Sequence, residues 1–150
     1  MKTLNQELGE LGEKLIIKKC ICPKCKNKST LKRLGIKNFK CADIICDFCG
    51  FLAQVKTSKV NDITKIPNKI LGAAWKPQEE RMKAGIYFPL YLVLVSKEKY
   101  TNSIFYLSAD LQTKEIFEPR KPLSASARRA GLQGFMYNIS EIKNRFIKLY

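Results

Sequence analysis

The sequence predicts one α/β domain spanning residues 1–150, with a mixed central sheet, helices on its faces and a four-cysteine ribbon inserted at about 20–50. Three features predict it: an amphipathic opening segment, apolar strand-like runs in the second half, and two Cys-x-x-Cys pairs between them. At 150 residues and 45% hydrophobic, the chain can bury one ordinary core and is too short for two comfortable domains.

The first half of the chain predicts a helix, a ribbon, two short strands and a second helix. The first helix covers residues 4–19, where apolar side chains recur at three- and four-residue spacing. The ribbon follows over 20–49, and KCADIIC and FLAQVKT predict short strands on either side of its second cysteine pair. Residues 64–83 favour a second helix, with Pro67 at its start and a break at Pro77.

The second half predicts four strands. Leu90–Ser96 is a nearly continuous apolar run typical of a buried strand, and 103–107 is its expected neighbour. A short strand near Ile116 leads into PRKPLSASARRAG, where Ser124 can cap a short helix. Residues 135–139 predict a last strand before a basic terminal helix.

The charge balance indicates a polyanionic partner. Lys and Arg number 28 against 13 Asp and Glu, a formal charge of +15, and the basic residues run the length of the chain. Nucleic acid is the usual partner of such a surface, and double-stranded DNA is expected here. A membrane is not expected, since the chain lacks a strongly amphipathic basic helix and its apolar runs fall short of the ~18 residues of a span. The polar amino terminus is unlike a secretory signal, so a cytoplasmic protein is expected.

Cysteine usage predicts a structural zinc site. CPKC at 22–25 and CDFC at 46–49 are separated by 20 residues, which is the spacing of a zinc ribbon. Histidine is absent, so the site must consist of Cys22, Cys25, Cys46 and Cys49, and four thiolates leave no open catalytic position. The other two cysteines, Cys20 and Cys41, are expected to be buried as small apolar residues.

The hairpin around the second cysteine pair brings polar groups together. If its turn is centred between Phe48 and Cys49, Asp43 lies opposite Gln54, and the two-residue period of a strand puts Lys56 on the same face. The Asp43 carboxylate, the Gln54 amide oxygen and the backbone carbonyl of Val55 could then hold Mg²⁺, with a lysine beside it.

This Asp, ten residues, Gln-x-Lys arrangement resembles the catalytic motif of the PD-(D/E)xK nucleases, whose usual third position is Glu and whose Mrr-like branch uses Gln. A narrower resemblance covers most of the chain. The order CPKC, ADIICDFC, QVK and RKPLSASARRAG is similar to the catalytic domain of the DpnI and Dam-replacing endonucleases, in which a zinc ribbon is inserted into a PD-(D/E)xK core. Gln54 stands where the close relatives have Glu, and Leu132 where they have Trp.

The resemblance implies a restriction-endonuclease-like core and Mg²⁺-dependent cleavage of DNA phosphodiesters, with methyl-directed recognition as one variant. It makes Asp43 and Gln54 metal ligands and Lys56 the residue that orients or activates the attacking water. The core often takes a further glutamate from its first helix, and LGEKL makes Glu13 the candidate, with Glu7 and Glu10 as competitors.

A cluster of cations is the candidate DNA contact. Arg120, Lys121, Arg128 and Arg129 fall in one loop and helix start, where they could hold phosphates through charge and fork geometry. The leading function is therefore a hydrolase, a type II restriction-like deoxyribonuclease with structural zinc, catalytic magnesium and no small-molecule cofactor. The alternative is a non-catalytic zinc-ribbon module that binds nucleic acid, in which Gln54 marks a decayed metal site.

Overall fold

The structure, a computed structural model, describes residues 1–35, 41–98, 101–121, 124–127 and 134–150, with the side chains of 73–75 excepted. Two helices and nine strands lie within these ranges. The helices are α1 (Leu4–Lys19) and α2 (Trp75–Lys83), and the strands are β1 (Lys32–Arg33), β2 (Ile44–Ile45), β3 (Leu52–Val60), β4 (Lys69–Ala74), β5 (Leu90–Ser96), β6 (Asn102–Leu107), β7 (Phe117–Pro119), β8 (Gly134–Asn138) and β9 (Ile147–Lys148).

The strands form two sheets. The larger has the order β1-β2-β3-β5-β6-β9 and the smaller the order β4-β8-β7. Strands β3 and β5 run parallel, while the other neighbouring pairs run antiparallel. The predicted α/β architecture with a mixed central sheet is confirmed.

Strand β5 separates two hydrophobic cores, because its side chains alternate between the two faces of the sheet. Tyr91, Val93 and Val95 belong to the core that includes Ile16 of α1. The intervening Leu90, Leu92 and Leu94 belong to the second core, on the side of the small sheet. Burial on both faces accounts for the continuous apolar run in the sequence of this strand.

Helix α1 begins and packs as its sequence requires. Thr3 is its N-cap in a reciprocal capping box with Gln6, which satisfies two backbone N–H groups at the helix start. On the buried face, a Cβ placed on Gly12 would lie 1.8 Å from Oγ1 of Thr57 in β3. Only a glycine allows this close approach, which brings the next residue, Glu13, to the edge of the sheet.

The single helix expected over 64–83 is wrong in its first half. Residues 69–74 form β4, which pairs with β8 and places Ile70 opposite Tyr137 in the second core. Burial of Ile70 in this sheet outweighs the local preference for helix. The helical part begins only at Trp75, so Pro77 lies in the first turn, where a missing N–H costs no intrahelical bond.

The basic terminal helix is also wrong. Residues 143–145 form one 3₁₀ turn, and β9 then pairs with the edge of β6. Ile142 and Phe146 are both buried, and their four-residue spacing resembles one face of a helix. The 3₁₀ turn between them is enough to bring both side chains into the core. The strands expected over 90–96, near Ile116 and over 135–139 are confirmed by β5, β7 and β8.

The short helix expected after Ser124 lies partly outside the described residues. Within 124–127 there is a turn, in which the Ala127 N–H donates to the Ser124 carbonyl over 3.0 Å. Of the helices in the described ranges, neither is long and apolar enough to cross a membrane.

Candidate active site and metal centre

Four cysteines meet at one end of the central sheet. The Sγ atoms of Cys22 and Cys49 are 3.6 Å apart, those of Cys25 and Cys46 are 3.9 Å apart, and all four lie within 4.8 Å of one another. A zinc ion with four Zn–S bonds of ~2.3 Å at tetrahedral angles requires sulfurs ~3.8 Å apart. The cluster therefore fits a zinc site formed by the four cysteines that the spacing predicts.

The second cysteine pair is the turn of a hairpin. The Cys46 N–H donates to the Phe51 carbonyl and the Gly50 N–H donates to the Cys46 carbonyl, both over 2.8 Å, and Gly50 adopts a φ of 78°. Beyond this turn, Ile45 pairs with Leu52 and Ile44 pairs with Ala53. This is the register that a turn centred between Phe48 and Cys49 predicts.

Asp43 lies where the ladder between β2 and β3 ends. Its N–H donates to the Ala53 carbonyl over 2.9 Å, one position out of register, so the strict pairing of Asp43 with Gln54 is not formed. Its Oδ2 instead accepts a bond of 2.7 Å from the Val55 N–H. Asp43 thus bonds to the residues before and after Gln54.

Gln54 is buried, with 3% of its surface exposed. Its Oε1 accepts a hydrogen bond from the hydroxyl of Tyr137 in β8, 83 residues further along the chain. The predicted metal ligand is therefore held by a residue from the second sheet that sequence reasoning did not identify.

Lys56 and Asp43 share a poorly solvated environment. Burial lowers the pKa of the half-buried Lys56, and the negative charge of Asp43 partly opposes this. Burial also raises the pKa of Asp43, opposed by the Val55 N–H and by the charges of Lys56 and Arg33. The carboxylate and the ammonium group thus act on each other across a medium of low dielectric constant.

Of the three candidate glutamates on α1, Glu13 is the one for which an effect of the Asp43 charge is resolved. Its Oε2 is 2.9 Å from Nε of Arg33. Its pKa is raised, first by burial and then by the charge of Asp43. Glu10 pairs instead with Lys2, and Glu7 is exposed in the first turn of the helix.

Cys41 also belongs to this neighbourhood. It is buried, as expected, and its pKa is raised by burial but lowered by the charges of Arg81 and Lys56. The sequence offers a signal for this placement, since Cys41 lies two residues before Asp43 and alternate residues of an extended segment share a face. Cys20 is buried in the first core, as expected.

The predicted DNA contacts are only partly described. Arg120 and Lys121 are exposed just after β7, where the Arg120 N–H donates to the Gly134 carbonyl over 2.9 Å. Arg128 and Arg129 lie outside the described residues.

A protein-family model, described as DpnI, the Dam-replacing family, matches residues 1–148. The chain belongs to the DpnI family. Membership indicates a restriction-type nuclease and implies DNA as the substrate. The inserted four-cysteine cluster and the mixed sheet of this DpnI-family chain agree with the resemblance drawn from the sequence.

Proposed function

We propose that this chain is a Mg²⁺-dependent DNA endonuclease of restriction or repair type. The observation that carries the proposal is the position of Asp43, which bonds to both neighbours of Gln54 and acts electrostatically on Lys56 and Glu13. These contacts and charges support a site composed of two carboxylates, an amide and a lysine, in a chain of a restriction-type nuclease family.

The donor set fits a hard cation, because Mg²⁺ prefers oxygen ligands and retains several waters. Asp43 uses Oδ2 for the Val55 N–H, so Oδ1 is left for a cation. The amide oxygen of Gln54 has a second lone pair besides the one that accepts from Tyr137. We propose these two side chains as ligands, with the Val55 carbonyl and Glu13 completing the set.

In the proposed mechanism, a Mg²⁺ ion held by Asp43 and Gln54 would polarise the scissile phosphate and would stabilise the charge of the transition state. Lys56 orients the attacking water and lowers the cost of forming hydroxide beside it. Its lowered pKa brings the ammonium group closer to a value useful for proton transfer. Arg120, Lys121, Arg128 and Arg129 hold backbone phosphates of duplex DNA.

Zinc has a structural role in this proposal. With all four positions filled by thiolates, it does not contact the substrate. A zinc ion held by the four thiolates would fix the turn between Cys46 and Cys49, and with it the register that pairs Ile44 with Ala53, next to Asp43.

A plasmid-nicking assay tests the proposal, with methylated and unmethylated DNA, each with and without Mg²⁺. The wild type should nick in a Mg²⁺-dependent way, whereas Asp43→Ala and Lys56→Ala should not. Lys59→Ala is the matched control, because Lys59 is an exposed lysine on the same strand. Undiminished nicking by both site variants would refute the assignment, and the two DNA substrates reveal any methyl dependence.

One observation favours a second function, nucleic-acid binding without cleavage. Gln54 lacks the charge of a carboxylate, and its oxygen already accepts a bond from Tyr137. For a decayed site, the wild type should bind DNA but not cleave it, and Gln54→Glu should create Mg²⁺-dependent nicking. Cleavage by the wild type excludes this alternative.

A further inference from the structure

We propose that Tyr137 is a positioning residue, whose hydroxyl selects the orientation in which the Gln54 amide presents oxygen to a metal ion. This inference rests on the magnesium site proposed above and assigns a role to a residue of the second sheet.

The hydroxyl of Tyr137 is held in a fixed place. Tyr137 is 1% exposed, and its ring packs against those of Phe117 and Phe135 with centroid distances of 5.1 and 4.9 Å. Its backbone lies in the middle strand of the small sheet, opposite Ile70 on one side and Phe117 on the other. A side chain restrained by two rings and two strands has little freedom to follow Gln54, so Gln54 must adapt to it.

The same hydroxyl lies close to the catalytic groups. A phenol keeps its proton at neutral pH, so the Tyr137 hydroxyl remains a donor to the Gln54 oxygen. The N–H of Val55, the residue after Gln54, donates to the Asp43 carboxylate, so the Tyr137 hydroxyl, the Gln54 oxygen and that carboxylate belong to one connected group of contacts.

A glutamine at a metal site requires orientation that a glutamate does not. A carboxylate has two equivalent oxygens and presents one in either orientation, whereas an amide has one oxygen and one NH₂ group. The terminal torsion of glutamine is broad and roughly two-fold, so both orientations are accessible unless a partner selects one. Flipping the Gln54 amide would remove the acceptor of a buried hydroxyl proton, which is unfavourable. Tyr137 thus favours the orientation in which the oxygen is fixed.

Four variants form a test: Tyr137→Phe, Gln54→Glu, the double variant, and Tyr91→Phe as the matched control. Tyr91 is an equally buried tyrosine of the other core, and its hydroxyl has no partner among the described residues. Two readouts are compared, the Mg²⁺ midpoint of DNA cleavage and, without DNA, the Mg²⁺ midpoint of the Gln54 side-chain amide signals in NMR spectra.

Tyr137→Phe should raise both midpoints, by about the 10–100-fold typical of losing an outer-shell partner. In the Gln54→Glu background, followed by cleavage, the same change should have a much smaller effect, and Tyr91→Phe should have none. Unchanged midpoints in Tyr137→Phe, or equal shifts in both backgrounds, would overturn the positioning role. A wild type whose Gln54 signals ignore Mg²⁺ would instead overturn the magnesium site, and this inference with it.

If Tyr137→Phe does not fold, NMR spectra of the wild type test the positioning role. A Tyr137 hydroxyl proton that exchanges slowly and shows a nuclear Overhauser effect to the Gln54 side chain, and that responds to Mg²⁺ at the same midpoint, supports the role. A hydroxyl proton that exchanges freely, or does not respond with Gln54, overturns it.

Discussion

The Asp43 carboxylate accepts a hydrogen bond of 2.7 Å from the backbone N–H of Val55, at the point where β2 separates from β3. The bond replaces a ladder contact that the sheet no longer provides. Asp43 therefore has two separable roles, one structural through its oxygen and one electrostatic through its charge.

Two substitutions separate these roles. Asp43→Asn keeps an oxygen for the Val55 N–H but removes the charge, whereas Asp43→Ala removes both. Each should slow cleavage by about a hundredfold or more, the effect of losing one preorganised electrostatic group. Only Asp43→Ala should lose about 1–3 kcal/mol of unfolding free energy, because it leaves a backbone N–H without a partner.

Denaturant unfolding and nicking rates measure the two effects. Asp110→Asn is the control, since it neutralises an exposed carboxylate away from the site and should change neither quantity. Equal stability of Asp43→Asn and Asp43→Ala would contradict the structural role of the bond to Val55.

The stability of the wild type should fall relative to Asp43→Asn as the pH rises. Burial raises the pKa of Asp43, so the folded state favours its neutral form. The stabilisation that comes from a neutral Asp43 is fully present below the pKa of this residue in the unfolded state. It is lost as the pH rises through the higher pKa of the folded state. Because asparagine approximates the neutral form, the two unfolding free energies should coincide at acidic pH and diverge towards neutral pH. A difference that does not vary with pH would contradict this electrostatic reading.

The sequence predicts the parts of the site that depend on neighbours in the chain. Residues of α1 carry their own cap and apolar stripe, and the cysteine turn determines which residues of β2 and β3 pair. These features follow from spacing alone, so the zinc cluster and the hairpin register could be predicted.

The remaining parts depend on contacts between distant segments. Tyr137 reaches Gln54 across 83 residues, from a small sheet in which β8 pairs with both β4 and β7. The segment of β4 continues directly into α2, and nothing local reveals its partner strand. The same holds for β9, whose two residues form a strand because the edge of β6 is available.

Gly12→Ala should destabilise the protein, because the added Cβ would lie 1.8 Å from Oγ1 of Thr57. Thr57 is β-branched and cannot turn away freely, so α1 must shift, at a cost of about 1–3 kcal/mol. Glu13 moves with the helix, and cleavage should slow as well.

Gly9→Ala is the control: nothing lies within 4 Å of its added Cβ, and alanine should stabilise the helix by about 1 kcal/mol. Equal stability of the two variants would show that α1 does not pack this closely on β3.

Neutralising Arg120 and Lys121 together to glutamine should weaken DNA binding similarly for all sequences. Each lost phosphate contact should reduce the slope of log affinity against log salt by about 0.9. Titrations at several salt concentrations measure the slope, and Arg128→Gln with Arg129→Gln should behave alike. A charge-matched pair, Lys143→Gln and Arg145→Gln, controls for net charge. An unchanged slope in both of the first two double variants, or the same change in the control, would argue against a specific contact.

Removing one zinc ligand should abolish cleavage without touching the substrate site. Cys46→Ser and Cys49→Ser each change one atom, yet each removes a thiolate from a cluster whose sulfurs lie within 4.8 Å of one another. Metal binding and folding are coupled in such sites, so the turn should loosen and Asp43 should lose its fixed position near Gln54.

Zinc content and Mg²⁺-dependent nicking are measured on the same preparations. Cys20→Ala, outside the cluster, should retain one zinc ion per chain and full activity. Normal nicking by a zinc-free protein would refute the coupling, because the hairpin would then hold its register without the metal.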